Sequence, residues 1–94
     1  MRLSSQEIEI IKSTLLNLFG ESEIYIFGSR LNDKVKGGDI DIFIVPKTKI
    51  ENERSKKAKA KLYLEDRLLK PIDMVIHRDF NRVIEQEALK GVKI

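Results

Sequence analysis

The sequence predicts an α/β fold, a small mixed β-sheet with helices mainly on one face. Three observations predict it. Stretches with apolar residues at helical spacing alternate with short isoleucine-rich runs of strand character. Two of those runs, Ile24–Phe27 and Asp39–Val45, are joined by a short polar link and should be neighbours in one sheet. The remaining apolar residues are too few to cover both faces of a sheet fully.

Ser4 is placed as an N-cap with Glu7 three residues on, and Ile8, Ile11, Leu15, Leu18 and Phe19 follow at helical spacing. A first helix over about Ser5 to Phe19 follows from this, stopped by Gly20, with its stripe packed on the sheet. Ile24–Phe27 is apolar on both faces, as a central strand requires, and Gly28 and Ser29 end it. The link from Arg30 to Gly38 mixes Asn32, Asp33 and Gly37 with Lys34 and Lys36 and reads as a loop whose lysines are solvated. Asp39–Val45 is the second strand, closed by Pro46. Glu51 to Lys70 contains neither Gly nor Pro and is rich in helix formers. Ala58, Leu62 and Leu69 fall on one line of that helix and Leu64 and Leu68 on a neighbouring one, while Lys61 and Glu65 interrupt the stripe. Leu62 and Leu64 point nearly opposite ways, so one of them is expected to stay exposed for another chain. Pro71 sets off a third strand, Ile72–His77, in which Asp73, Val75 and His77 share a face. Asp79 is placed to cap a last helix carrying Phe80, Val83, Ile84 and Ala88 and ending at Gly91, with a short extended tail beyond.

Ninety-four residues are expected to form a single domain, residues 1–94, with one modest core and no separate substrate domain. The absence of cysteine excludes a disulfide framework and a zinc–thiolate site. No apolar run approaches the roughly 20 residues of a membrane span, so no membrane contact and a cytoplasmic location are expected. The net charge of +3 is compatible with polyanion binding, but 35% charged residues of both signs also describe an ordinary solvated surface. Arg54, Lys56, Lys57, Lys59 and Lys61 lack the interleaved aromatics of a nucleic-acid surface, and nucleic acid ranks last among the partners.

The chemistry concentrates between Ile24 and Val45. Because strand side chains alternate, Asp39 and Asp41 project from one side, roughly 7 Å apart along the strand, while Ile40, Ile42 and Ile44 enter the core. Two carboxylates side by side on an apolar strand repel each other unless something neutralises them. Mg²⁺ suits such a site, because it is commonly held by one or two carboxylates together with substrate phosphates. Gly28 lets a phosphate approach the backbone and Ser29 offers a hydroxyl. P-loop, GxGxxG, HExxH and EF-hand patterns are absent.

Gly28-Ser29, a spacer and then Gly38-Asp39-Ile40-Asp41-Ile42 resemble the GS…DxD signature of the polymerase-beta-type nucleotidyltransferases. The short chain narrows the resemblance to the minimal nucleotidyltransferases, whose third carboxylate on a later strand is matched by Pro71-Ile72-Asp73-Met74-Val75-Ile76. The resemblance implies a polymerase-beta-like fold, and Asp39, Asp41 and Asp73 as catalytic ligands of two Mg²⁺ ions. Asp73 would lie next to the attacking hydroxyl, as candidate general base. Gly28 and Ser29, helped by Arg30, would hold the phosphates of a substrate such as ATP. It also implies transfer of a nucleoside monophosphate, AMP in the first instance, to a hydroxyl. Members of the minimal family often pair with a helical HEPN-domain toxin, which makes such a protein the expected partner and leaves homo- or hetero-oligomers open. The spacer carries Leu31, Asn32 and Asp33 where many relatives have a glycine and further arginines. The competing reading is therefore a nucleotidyltransferase-like module that neutralises a HEPN partner by binding alone.

Overall fold

The computed structural model describes residues 3–28 and 38–94. Its elements run α1 (Ser5–Phe19), β1 (Ser22–Phe27), β2 (Ile40–Pro46), α2 (Glu53–Leu68), β3 (Ile72–Ile76), α3 (Val83–Leu89) and β4 (Val92–Lys93). The strands form one sheet in the order β3-β2-β1-β4, with β1 antiparallel to β2 and β4 and with β2 parallel to β3. The mixed sheet and the pairing of the two loop-linked strands are as the sequence predicts. Ile94 continues the β4 pairing by donating its N–H to the Ile24 carbonyl at 2.9 Å, so the expected tail is a short edge strand.

Period-two alternation divides the sheet into two unlike faces. On one, Ile24, Ile26, Ile40, Ile42, Ile44, Ile72, Met74 and Ile76 are buried against Ile11, Leu15 and Phe19 of α1 and Ala60, Leu64 and Leu68 of α2. On the other, Phe27 and Phe43 pack on Ala88 of α3, flanked by Tyr25, Val45 and Val75. The two long helices thus cover one face, and the short α3 lies on the opposite face, so the helical cover is mainly but not wholly on one side. Seven residues of helix cannot cover that second face, and the uncovered end is where the acids stand.

The capping box of α1 is present as read. Glu7 donates its backbone N–H to Ser4 Oγ at 3.1 Å, and Glu7 Oε1 accepts from the Ser4 N–H at 3.0 Å. Glu7 Oε2 also meets Lys70 Nζ at 3.0 Å, which ties the start of α1 to the link between α2 and β3. In α2 the line that turns inward is Ala60, Leu64 and Leu68, at intervals of one helical turn. Leu62 is 70% exposed and Leu69 85% exposed, and Ala58 is also at the surface, so the expected line through those three faces solvent. Asp79 does not cap α3. Its Oδ1 accepts from the Asn81 N–H at 2.9 Å in a turn preceding the helix, whose N-cap position is Arg82. Val83 is exposed rather than part of an inward stripe. Gly91 lets the chain leave α3 and pass close over β1, since a Cβ there would stand 2.3 Å from the Ile26 carbonyl oxygen.

Candidate active site

Asp41 lies at the register position where three strands meet, opposite Phe27 on β1 and beside Asp73 on β3. Asp39 immediately precedes β2 and has the parity of Asp41, so the three carboxylates project from one face beyond the cover of α3. Asp39 and Asp41 are half-buried and Asp73 is exposed. The structure therefore brings together the acids singled out in the sequence, and the parallel pairing of β2 with β3 is what does so.

Asp39 is within hydrogen-bonding reach of Asp73, and that contact first, then desolvation and the Asp73 charge, raise its pKa above 3.8, with Glu65 adding a little and Lys61 opposing. Asp41 is raised mainly by burial, then by the charges of Asp73 and Asp39. Two carboxylates can share a hydrogen bond only with a proton between them. A divalent cation would take the place of that proton, so an all-oxygen donor set of this charge fits Mg²⁺. Among the described residues no three acidic or imidazole groups already stand in metal-binding geometry. Asp41 instead lies over Gly28, where a Cβ would fall 2.1 Å from Asp41 Oδ2. Gly28 has φ +78°, in the left-handed region, so glycine is required there both for the turn and for the carboxylate above it. Ser29 and Arg30, like Lys34 and Lys36, lie outside the described residues.

The two residues that interrupt the apolar stripe of α2 have places here. Glu65 Oε2 accepts the N–H of Ile72 at 2.9 Å, which fixes the start of β3 one residue before Asp73. Lys61 is the cation whose charge reaches Asp39. His77 shares the parity of Asp73, but its bonds are structural. Its Nδ1 is 2.6 Å from Glu85 Oε1, and its ring stacks on Phe80 with centroids 3.9 Å apart.

Glu85, which sequence reasoning missed, is fully buried. It accepts the backbone N–H groups of Arg78 and Asp79 at 2.8 and 2.9 Å and pairs with Arg82 at 3.0 Å. Burial alone would raise its pKa, but the hydrogen bonds from His77, Asp79 and Arg78 outweigh it and lower the value to about 2. This carboxylate holds the turn from β3 to α3, and with it the helix that borders the acidic end of the sheet. Its one sequence signal was an acid on the short helix, which an ordinary solvated face shares.

A small mixed sheet with a glycine turn after one strand and acids at the next two is the arrangement that the resemblance in the sequence implies. The family model described as polymerase beta, nucleotidyltransferase matches residues 9–94, and the chain belongs to that family. The match takes in most of α1, ahead of the motifs that carry the resemblance. No curated protein matches the chain significantly.

Proposed function

We propose that this domain is a Mg²⁺-dependent nucleotidyltransferase that transfers AMP from ATP to a hydroxyl of a partner protein, acting in the cytoplasm as the antitoxin of a HEPN-type toxin. The observation that carries the catalytic part is the side-by-side register of Asp41 and Asp73, with Asp39 in reach of Asp73 on the same open face. Asp39, Asp41 and Asp73 would hold two Mg²⁺ ions, which when bound stabilise the attacking and leaving oxygens of an in-line displacement at the α-phosphorus. Asp73, the most exposed of the three, would accept the proton of the attacking hydroxyl. Gly28 keeps the backbone open beside Asp41, and Ser29 and Arg30, next in the chain, would hold the departing pyrophosphate. Bond formation to the acceptor oxygen and loss of pyrophosphate balance the transfer without a further reactant.

A second reading, a module that binds a HEPN partner without catalysis, is favoured by the exposed Leu62 on α2 and Leu69 just after it, neither of which belongs to the core. One experiment tests the first against the second. The protein is mixed with α-labelled ATP, Mg²⁺ and a HEPN-domain protein. Transfer of label by the wild type and its loss by at least about a hundredfold in Asp41→Asn, with an unchanged melting temperature within a few degrees, is the expected result. Equal label with both proteins sinks the catalytic assignment, and a stable complex without label leaves the binding reading in its place.

A further inference from the structure

We infer that the outer edge of β3 is a docking site for an extended acidic segment of a partner protein, which adds to the sheet as a further strand. β3 is an edge strand, paired only with β2 among the described residues. The direction of its amides follows from three bonds. The Pro71 carbonyl accepts from the Ile40 N–H at 2.9 Å and the His77 N–H donates to the Ile44 carbonyl at 3.0 Å, so odd-numbered residues face β2. The Ile72 N–H points the other way and is taken up by Glu65. Backbone groups alternate along a strand, so the N–H and C=O groups of Met74 and Ile76 face outward, and no group of the described residues bonds them.

Met74, Val75 and Ile76 line a cleft of about 490 Å³ together with residues of the first turns of α2 and residues after β3. Its walls carry Arg54, Lys57, Arg78 and Arg82 and, among the described residues, one carboxylate, Glu53. Glu53 is bonded to Arg78, and Arg82 to Glu85, whereas Arg54 and Lys57 make no ion pair among the described residues. Unpaired strand amides between cationic walls suit an extended peptide with acidic side chains, the main chain giving affinity and the charges selecting the partner. A single-stranded nucleic acid would need stacking platforms, and among the described residues no aromatic side chain lines the cleft. Because Glu65 closes the edge at Ile72, the docked strand runs beside Met74–Ile76 and leaves the three aspartates open.

The test uses the whole protein and a capped eight-residue peptide alternating Glu with Val, read by hydrogen exchange of single amides. The amides of Met74 and Ile76 should exchange at least about tenfold more slowly with saturating peptide, as expected for newly bonded strand N–H groups. The same peptide N-methylated at alternate residues should protect neither amide. Arg54→Glu combined with Lys57→Glu should weaken binding about tenfold with no change in melting temperature, since both side chains are at the surface. Asp41→Asn should bind the peptide as the wild type does, so failure of docking and failure of the catalytic reading are separately visible. No slowing at millimolar peptide, equal protection by the Lys-for-Glu peptide, or tighter binding of an eight-residue oligothymidylate would each overturn the proposal.

Discussion

Asp39 and Asp73 come into reach because β2 and β3 run parallel, and their contact sets how the metal-free protein responds to pH. A carboxyl whose folded pKa is raised contributes stability only while protonated, below its unfolded value of about 3.9, and loses that contribution as pH rises through the folded value. At neutral pH the ionised Asp39 and Asp41 therefore cost stability. Asp39→Asn is expected to raise the melting temperature of the metal-free protein at pH 7.5. Mg²⁺ should raise that of the wild type at pH 7.5, raise it much less at pH 4.5, and have little effect on the variant. Thermal melts with and without Mg²⁺ at both pH values check this, and identical metal responses in the two proteins would mean that the carboxylates share no site.

At the level of elements, two features decide how the helices hold the sheet. On α2, Leu64 is fully buried and Leu62 largely exposed, although both lie two residues apart in one apolar-looking segment. Leu64→Ala should cost about 2–5 kcal/mol in urea unfolding and Leu62→Ala less than about 0.5 kcal/mol. Equal losses would place the wrong side of α2 on the core. Between β3 and α3, Glu85 has its pKa lowered from 4.5 to about 2, so its stabilisation is present above pH 4.5 and is lost as pH falls toward 2. Glu85→Gln should be less stable than the wild type by about 3 kcal/mol at pH 7, and the gap should narrow between pH 4.5 and pH 2. Unfolding curves across that range measure it, and a gap that stays constant with pH would rule out the charge as its source.

At the level of the whole molecule, the sheet divides labour between its faces. One is closed by α1 and α2 and carries the main core, and the other is left half open by α3, with the acids at the open end. The closed side still presents apolar surface outward through Leu62 on α2 and Leu69 at its C-cap, neither of which belongs to the core. If this surface meets a helical partner, Leu62→Glu with Leu69→Glu should abolish co-elution with the HEPN-type protein in size exclusion at micromolar concentration. The melting temperature of the domain alone should hardly move, because neither side chain belongs to the core. Co-elution of the double variant with the partner at wild-type yield would move the interface elsewhere. Among the described residues no helix is long and apolar enough to cross a membrane.

What the sequence determined by itself is whatever depends on local periodicity. The extent of α1 and its capping box, the strand character of β1, β2 and β3, and the common parity of Asp39 and Asp41 need only the geometry of a helix or a strand. The glycine after β1 was also legible, although the carboxylate that excludes a Cβ there was not. Tertiary structure alone decided the register that sets Asp41 beside Asp73, since thirty-odd intervening residues carry no local signal for a parallel pairing. It also decided which line of α2 turns inward, because Ala58 with Leu62 and Ala60 with Leu64 are equally apolar pairs and only the position of α1 and β3 distinguishes them. Glu85 was invisible for the same reason. A charged residue on a short helix is ordinarily solvated, and its burial becomes favourable only when the backbone N–H groups of Arg78 and Asp79, with His77 and Arg82, are folded around it.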